Sequence, residues 1–220
     1  MAIAVLYADQ WLMAVDKPAG VVVHPTYKNW SGTLLNGLLS RVAEPRIVTR
    51  LDKDTSGVVL VALSADVHKR IQRDTAAGRV KKEYLAIVCG TPAPPRGSID
   101  APLARSGADR RRVVVDAGGQ HSLTEYDVVS TSNGAALVRC ELATGRTHQI
   151  RVHLASRGWP VAGDLVYGAP HPDLTRQALH AWRVTLPHPI TRDTLTLEAP
   201  FPSELQRLVR SQLPDPRSPG

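Results

Sequence analysis

Hydrophobic and polar positions change period several times along the chain, and each change marks the edge of an element. Residues 3–20, IAVLYADQWLMAVDKPAG, form two short apolar runs around a polar turn at Ala8 to Gln10. They read as two strands, closed by the Lys17-Pro18-Ala19-Gly20 turn. VVVHP predicts a further short strand ended by Pro25. From Thr33, a hydroxyl suited to an N-cap, Leu34, Leu35, Leu38, Leu39 and Val42 recur with helical period and stop before Pro45. VVLVAL, Val58 to Leu63, is apolar throughout, the pattern of a buried strand. Ser64 then offers an N-cap to a helix whose inner face is Val67 and Ile71 and which ends near Gly78.

KKEYLAIVCG, Lys81 to Gly90, returns as a strand, and Pro- and Gly-rich TPAPPRGSIDAP interrupts the pattern. ARSGADRRRVVV suggests a hairpin with an exposed basic tip, and HSLTEYDVVS and AALVRCELA alternate as antiparallel strands do. TGRTHQIRVHLASRGWP predicts a loop feeding a helix from about Thr147 to Arg157, with Gly158 just past its end. LHAWRVTLPHP and LTLEAP are strand-like, and SELQRLVR is a short helix with Leu205, Leu208 and Val209 inward. Strand pairs with isolated helices, and no steady βαβ alternation, predict an α+β fold on a largely antiparallel sheet. The length suits one domain over 1–210, with 211–220, SQLPDPRSPG, as a disordered tail.

Charge changes this picture. Lys and Arg outnumber Asp and Glu by 27 to 20, for a net charge of +7, and all but six of the cations are Arg. Such a chain suits a polyanion, and Arg in particular suits phosphate and bases, although a genome rich in Arg codons leaves the same trace. Cys89 and Cys140 lie in separate apolar runs without metal-ligand spacing and read as buried, reduced thiols. No basic leader precedes an apolar segment and no run reaches membrane-spanning length, so a cytoplasmic protein is expected.

Three segments are unusually polar beside core elements: RLDKDTSG, KKEYLAIV and TGRTHQIRVH. In the first, Asp52 and Asp54 precede Thr55, Ser56 and Gly57, so they either fix a turn or carry chemistry. A divalent cation is a poor fit, because Arg46, Arg50 and Lys53 crowd the same segment. His148 and His153 are five residues apart, off the shared helix face that paired metal ligands need. Arg146 and Arg151, near a helix start, suit a buried carboxylate or a phosphate, or else a solvated basic face. Tyr84 is a core aromatic with a wet hydroxyl unless a partner gives it work. No nucleotide-binding glycine loop and no GxSxG elbow is present, which favours chemistry without a cofactor.

In order, VDKPAGVVVHP, RLDKDTSG, KKEYLAIVCG, TGRTHQIRVHLASRGWPVAGDLVYG and LHAWRVTLPHP resemble the RluA-type RNA pseudouridine synthases over nearly the whole chain. The resemblance implies the pseudouridine synthase fold and isomerisation of a uridine in ribosomal or transfer RNA, with neither metal nor cofactor. It makes Asp52 the catalytic aspartate, attacking C1′ or removing the ribose 2′ proton. Arg50 is then the arginine that enters the RNA helix when the uridine is flipped out, a step that costs a few kcal/mol of stacking. Arg151 is the expected ion-pair partner that keeps Asp52 charged, and Tyr84 stacks on the uracil. Lys17, Arg146 and His148 are weaker assignments, to loop support or RNA backbone.

Two departures stand out. Thr49 occupies a position where the family commonly has His, which bears on support of the loop more than on the chemistry. Many relatives also carry an N-terminal S4 domain, whereas here the catalytic pattern begins by about Val5. RNA affinity is therefore expected from the domain itself, with Arg105, Arg110, Arg111 and Arg112 gripping phosphates, and with a monomer needing no protein partner or membrane. An RNA-binding or folding factor on the same scaffold, with no essential catalysis, is the alternative. A metal-dependent nuclease is poorly served by so few carboxylates.

Overall fold

The computed structural model describes residues 3–26, 29–132 and 134–213. In chain order its elements are β1 (Ala4–Ala8), β2 (Leu12–Lys17), α1 (Leu34–Leu39), β3 (Arg46–Ile47), β4 (Ser56–Ala62), α2 (Ala65–Ala76), β5 (Lys81–Cys89) and β6 (Arg96–Asp100). They continue with β7 (Leu103–Arg105), β8 (Val113–Val115), β9 (Leu123–Ser132), β10 (Ala135–Leu142), α3 (Gln149–Ser156), β11 (Leu179–Pro187), β12 (Thr194–Glu198) and α4 (Ser203–Gln212). The α+β class and the largely antiparallel pairing are as expected from the alternating runs.

Two compact units arise from this chain, one from residues 1–82 with 181–200, the other from 83–180 with 201–220. In the first, the strands run in the order β1-β2-β4-β11, with β12 on β11 and β3 on β4. β4 is buried along its whole length because both its faces are covered. On one side Leu12, Ala14, Val58, Leu60 and Ala62 pack against Val67 and Ile71 of α2 and against Val184, Leu186 and Leu197. On the other, Met13, Val15, Val59 and Val61 pack against Leu34 and Leu38 of α1. Ser64 caps α2 by accepting the Val67 N–H, and Thr33 closes a capping box with Asn36.

The second unit is built on β5-β10-β9-β6, antiparallel along the registered pairs, with the separate β7-β8 hairpin packed through Leu103 and Val113 on Val152 of α3. α4 buries Leu205 and Leu208, while Val209 is only half-buried.

Several sequence expectations need correction. VVVHP is not a strand: the carbonyls of Val22 and Val23 accept the Leu34 and Leu35 N–H groups, so they cap α1 and are spent before a sheet can use them. TPAPPRGSIDAP contains β6, a strand that begins just after Pro95, ends before Pro102 and carries Gly97 in its run. Cys140 is buried, and burial pushes its thiol up to about 12, but Cys89 ends β5 exposed. Ser211 and Gln212 belong to α4, and residues 214–220 of the expected tail lie outside the described residues. Among the described residues no helix is long and apolar enough to cross a membrane.

Candidate active site

RLDKDTSG is the connection from β3 to β4 in the first unit, and main-chain atoms hold it. The Asp52 carbonyl accepts the Thr55 N–H at 3.1 Å, which closes a tight turn and leaves the Asp52 side chain half-buried. Lys17, wholly buried at the end of β2, points its ammonium at three carbonyls: Pro18 at 2.8 Å, Val21 at 2.8 Å and Lys53 at 2.9 Å. Three carbonyl acceptors match the three donors of an ammonium, which is what makes burial of this charge tolerable. These bonds match loop support, one of the two roles considered for Lys17.

Gly57 closes the segment with φ +117°, and a Cβ there would run into the Ala181 carbonyl oxygen of β11, so this position takes glycine alone. Thr49 has a structural function here: its hydroxyl oxygen accepts the Leu60 N–H at 3.0 Å and ties the loop to β4. Arg50 is exposed, and burial together with the Arg50 charge lowers the pKa of nearby His24.

Arg151, in the second unit, lies buried in the first turn of α3 and donates from Nε and Nη2 to Asp164 at 2.7 and 2.9 Å. Of the sequence alternatives, a buried carboxylate, a phosphate or a solvated face, this pairing is the first, with Asp164 as the carboxylate. Burial works to raise the Asp164 pKa, but the Arg151 hydrogen bonds and charge, aided by the Val166 and Tyr167 N–H groups, hold it below the usual carboxylate range. Tyr84 is buried on β5, opposite Cys140 of β10.

The start of α3 is unusual. His148 occupies its N-cap in the left-handed region, φ 56° and ψ 15°, and its side chain caps nothing; Nδ1 instead meets the Tyr167 hydroxyl at 2.7 Å. Such strain in a non-glycine residue persists only where surroundings impose it, and it gathers at functional sites. Gln149 supplies part of the constraint. Its side-chain oxygen accepts the Arg146 N–H and the Thr144 hydroxyl, and its amide donates to the Leu123 carbonyl and the Thr124 hydroxyl. His153, wholly buried, bridges the Ala101 carbonyl and the Thr124 hydroxyl, and burial lowers its pKa.

The candidate RNA-binding arginines differ in how they are committed. Arg105 donates to the Arg110 carbonyl, Arg146 to the His121 carbonyl, and Arg111 grips Asp109 with two nitrogens, which with the Arg111 N–H holds that carboxylate at about 2. Arg112 stacks its guanidinium over the Tyr167 ring, 5.4 Å from the centroid, and Arg110 is exposed. Arg112, His148 and Arg151 therefore meet around Tyr167 within the second unit. Asp164 and Tyr167, both in the quoted GDLVYG stretch, carry no role in the sequence reading, because nothing local announces their partners. Among the described residues no group of three or more His, Cys, Asp or Glu could hold a metal ion.

Comparison with known proteins adds an independent line. The sequence profile of the family described as RNA pseudouridylate synthase matches residues 11–156. The chain is 43% identical over 222 residues to ribosomal large subunit pseudouridine synthase D of Nitrosomonas europaea, covering 94% of this chain and 64% of that protein. It is 38% identical to an uncharacterized RNA pseudouridine synthase of Bacillus subtilis, covering 96% of this chain and 73% of the relative. Among solved structures, human RNA pseudouridylate synthase domain containing 1 superposes with a TM-score of 0.76 at 25% identity, over 97% of both chains. Human RNA pseudouridylate synthase domain containing 4 gives 0.75 at 25% identity, over 94% of this chain and 92% of the other.

Proposed function

The chain belongs to the RNA pseudouridylate synthase family, and from that premise we propose that it isomerises specific uridines to pseudouridine in large-subunit ribosomal RNA. The observation that carries this reading is the extent of the family match, residues 11–156, which contains Asp52, Tyr84 and Arg151. The ribosomal substrate rests on the names of relatives such as the Nitrosomonas protein, and transfer RNA is the other stable RNA to test.

In the reaction the N-glycosidic bond to N1 breaks, the uracil turns without leaving, C5 bonds to C1′, and the C5 proton is lost as N1 gains one. Nothing is oxidised or hydrolysed, so no cofactor is called for. Asp52 is assigned either attack on C1′ or removal of the 2′ proton. An ionised carboxylate is required in both cases, and desolvation opposes it. The family motif assigns that compensating charge to Arg151, and the Lys17 ammonium supports the turn through the Lys53 carbonyl next to Asp52. Tyr84 offers an aromatic face to the uracil, Arg50 takes the place of the flipped base, and the hairpin arginines hold backbone phosphate. Acting on the bare RNA as a cytoplasmic monomer is part of the same proposal.

The test is pseudouridine mapping of total ribosomal and transfer RNA from cells lacking the gene, complemented with the wild type or with Asp52→Asn. Sites lost on deletion and restored by the wild type alone support the activity and identify the uridine. Restoration by Asp52→Asn as well would leave an RNA-binding factor as the better reading.

A further inference from the structure

Tyr167 touches the basic hairpin, the strained start of α3 and Arg151 at once. Its hydroxyl oxygen accepts the Val113 N–H at 2.8 Å, at the foot of β8 directly after Arg110 to Arg112, and bonds His148 Nδ1 at 2.7 Å. Its ring lies 5.4 Å from the Arg112 guanidinium carbon and 5.1 Å from that of Arg151. Its own N–H is held by Oδ1 of Asp164, the carboxylate that grips Arg151. Leu103, Val113 and Val152 pack around it, so the ring is anchored on the hairpin and on α3 together.

The hairpin arginines are not equivalent. Arg111 is spent on Asp109 and Arg105 on a carbonyl. Arg112 is oriented by the Tyr167 ring, yet among the described residues its guanidinium meets that ring without a hydrogen-bonding acceptor. A cation held in place by an aromatic face, with its donors still to be satisfied, suits a phosphodiester oxygen.

We propose that Tyr167 is a positioning residue that couples capture of an RNA backbone phosphate by Arg112 to the placement of Arg151, an inference that rests on the pseudouridine synthase reading. A phosphate seated on Arg112 is thereby registered, through one ring, against the arginine at the reaction centre.

The test is a double-mutant cycle on the full chain, Tyr167→Leu with Arg112→Gln, followed by kcat and KM for pseudouridine formation and by the salt dependence of RNA binding. Arg112→Gln raises KM about tenfold and lowers the salt slope by about one counterion. Tyr167→Leu does both and also lowers kcat about tenfold, because Arg151 loses its support. The double variant has the KM of Tyr167→Leu alone, since the two changes remove one interaction. KM effects that multiply to about a hundredfold, or a Tyr167→Leu enzyme with wild-type kcat and KM, overturn the coupling. If Tyr167→Leu does not fold, Tyr167→Phe takes its place in the cycle: it keeps the ring, loses the Val113 and His148 bonds, and raises KM about threefold, again without multiplying with Arg112→Gln. A wild-type protein that forms no pseudouridine overturns the activity reading instead, and the RNA-binding arm of the cycle still decides the Arg112–Tyr167 link.

Discussion

The loop that bears Asp52 and the helix start that bears Arg151 are fastened by different means. Main-chain acceptors and backbone packing dominate in the first: three carbonyls converge on the Lys17 ammonium, the Thr49 hydroxyl accepts the Leu60 N–H, and Gly57 lets β4 press against the backbone of β11. In the second, ionisable and amide side chains do so: Arg151 on Asp164, His148 on Tyr167, Gln149 and His153 on Thr124. The carbonyls of this cradle do not titrate, although the Lys17 ammonium they hold also acts on Asp16, whose carboxyl burial pushes up against the lowering effect of the Lys17 charge. A side-chain network sets charge as well as position, and so its fit depends on protonation.

The largest effect expected is at Lys17. Lys17→Met keeps the apolar stem but leaves three carbonyls without their donor, a loss of about 4 kcal/mol in urea unfolding at neutral pH. A loss under about 1 kcal/mol would mean that the cradle does not hold the loop.

Asp164→Ala strands a buried guanidinium and costs about 3 kcal/mol at neutral pH. Because the folded pKa of Asp164 is lowered, its contribution is complete above the unfolded value near 3.9 and disappears as pH falls through the folded value. Urea unfolding between about pH 5 and pH 2 should show that slope in the wild type and in Lys17→Met, and a smaller one in Asp164→Ala. Equal slopes in all three would erase the proposed distinction between the two regions.

His153 sharpens the same point at milder pH. Its lowered pKa means that the unfolded chain takes up the proton first, so stability is complete above about 6.5 and declines as pH drops, by at most about 1.4 kcal/mol per unit. His153→Gln can donate to the Ala101 carbonyl and bond Thr124 without titrating, and should flatten the decline in thermal unfolding over this range. The smallest effect belongs to Thr49→Val, which removes one acceptor from the Leu60 N–H and costs about 1 kcal/mol in urea unfolding, insensitive to pH.

The same contrast explains what could be read from the sequence. Local signals sufficed for Ser64 capping α2, for Val67 and Ile71 facing inward, and for the alternating strands β9 and β10. VVVHP failed as a strand because its carbonyls serve partners elsewhere, the N–H groups of α1 and the Lys17 ammonium, and strand propensity is blind to such partners. The carboxylate reading of Arg151 was legible as one of three options, but the identity of Asp164, 13 residues on, was not. Tyr167 was further out of reach, since its hydroxyl joins residues 19 and 54 positions away. Nor does spacing reveal a left-handed His148, which follows from the contacts that impose it.

The order in which the two units take their residues has a consequence during translation. The unit that begins the chain obtains Val184, Leu186, Leu197 and Ala199 of its core only after the long segment 83–180 has been made. At about 5–20 residues per second that delay is roughly 5–20 s, during which β4 lacks the neighbour that Gly57 is shaped to meet. The first unit therefore carries an open strand edge beside an incomplete core until β11 emerges.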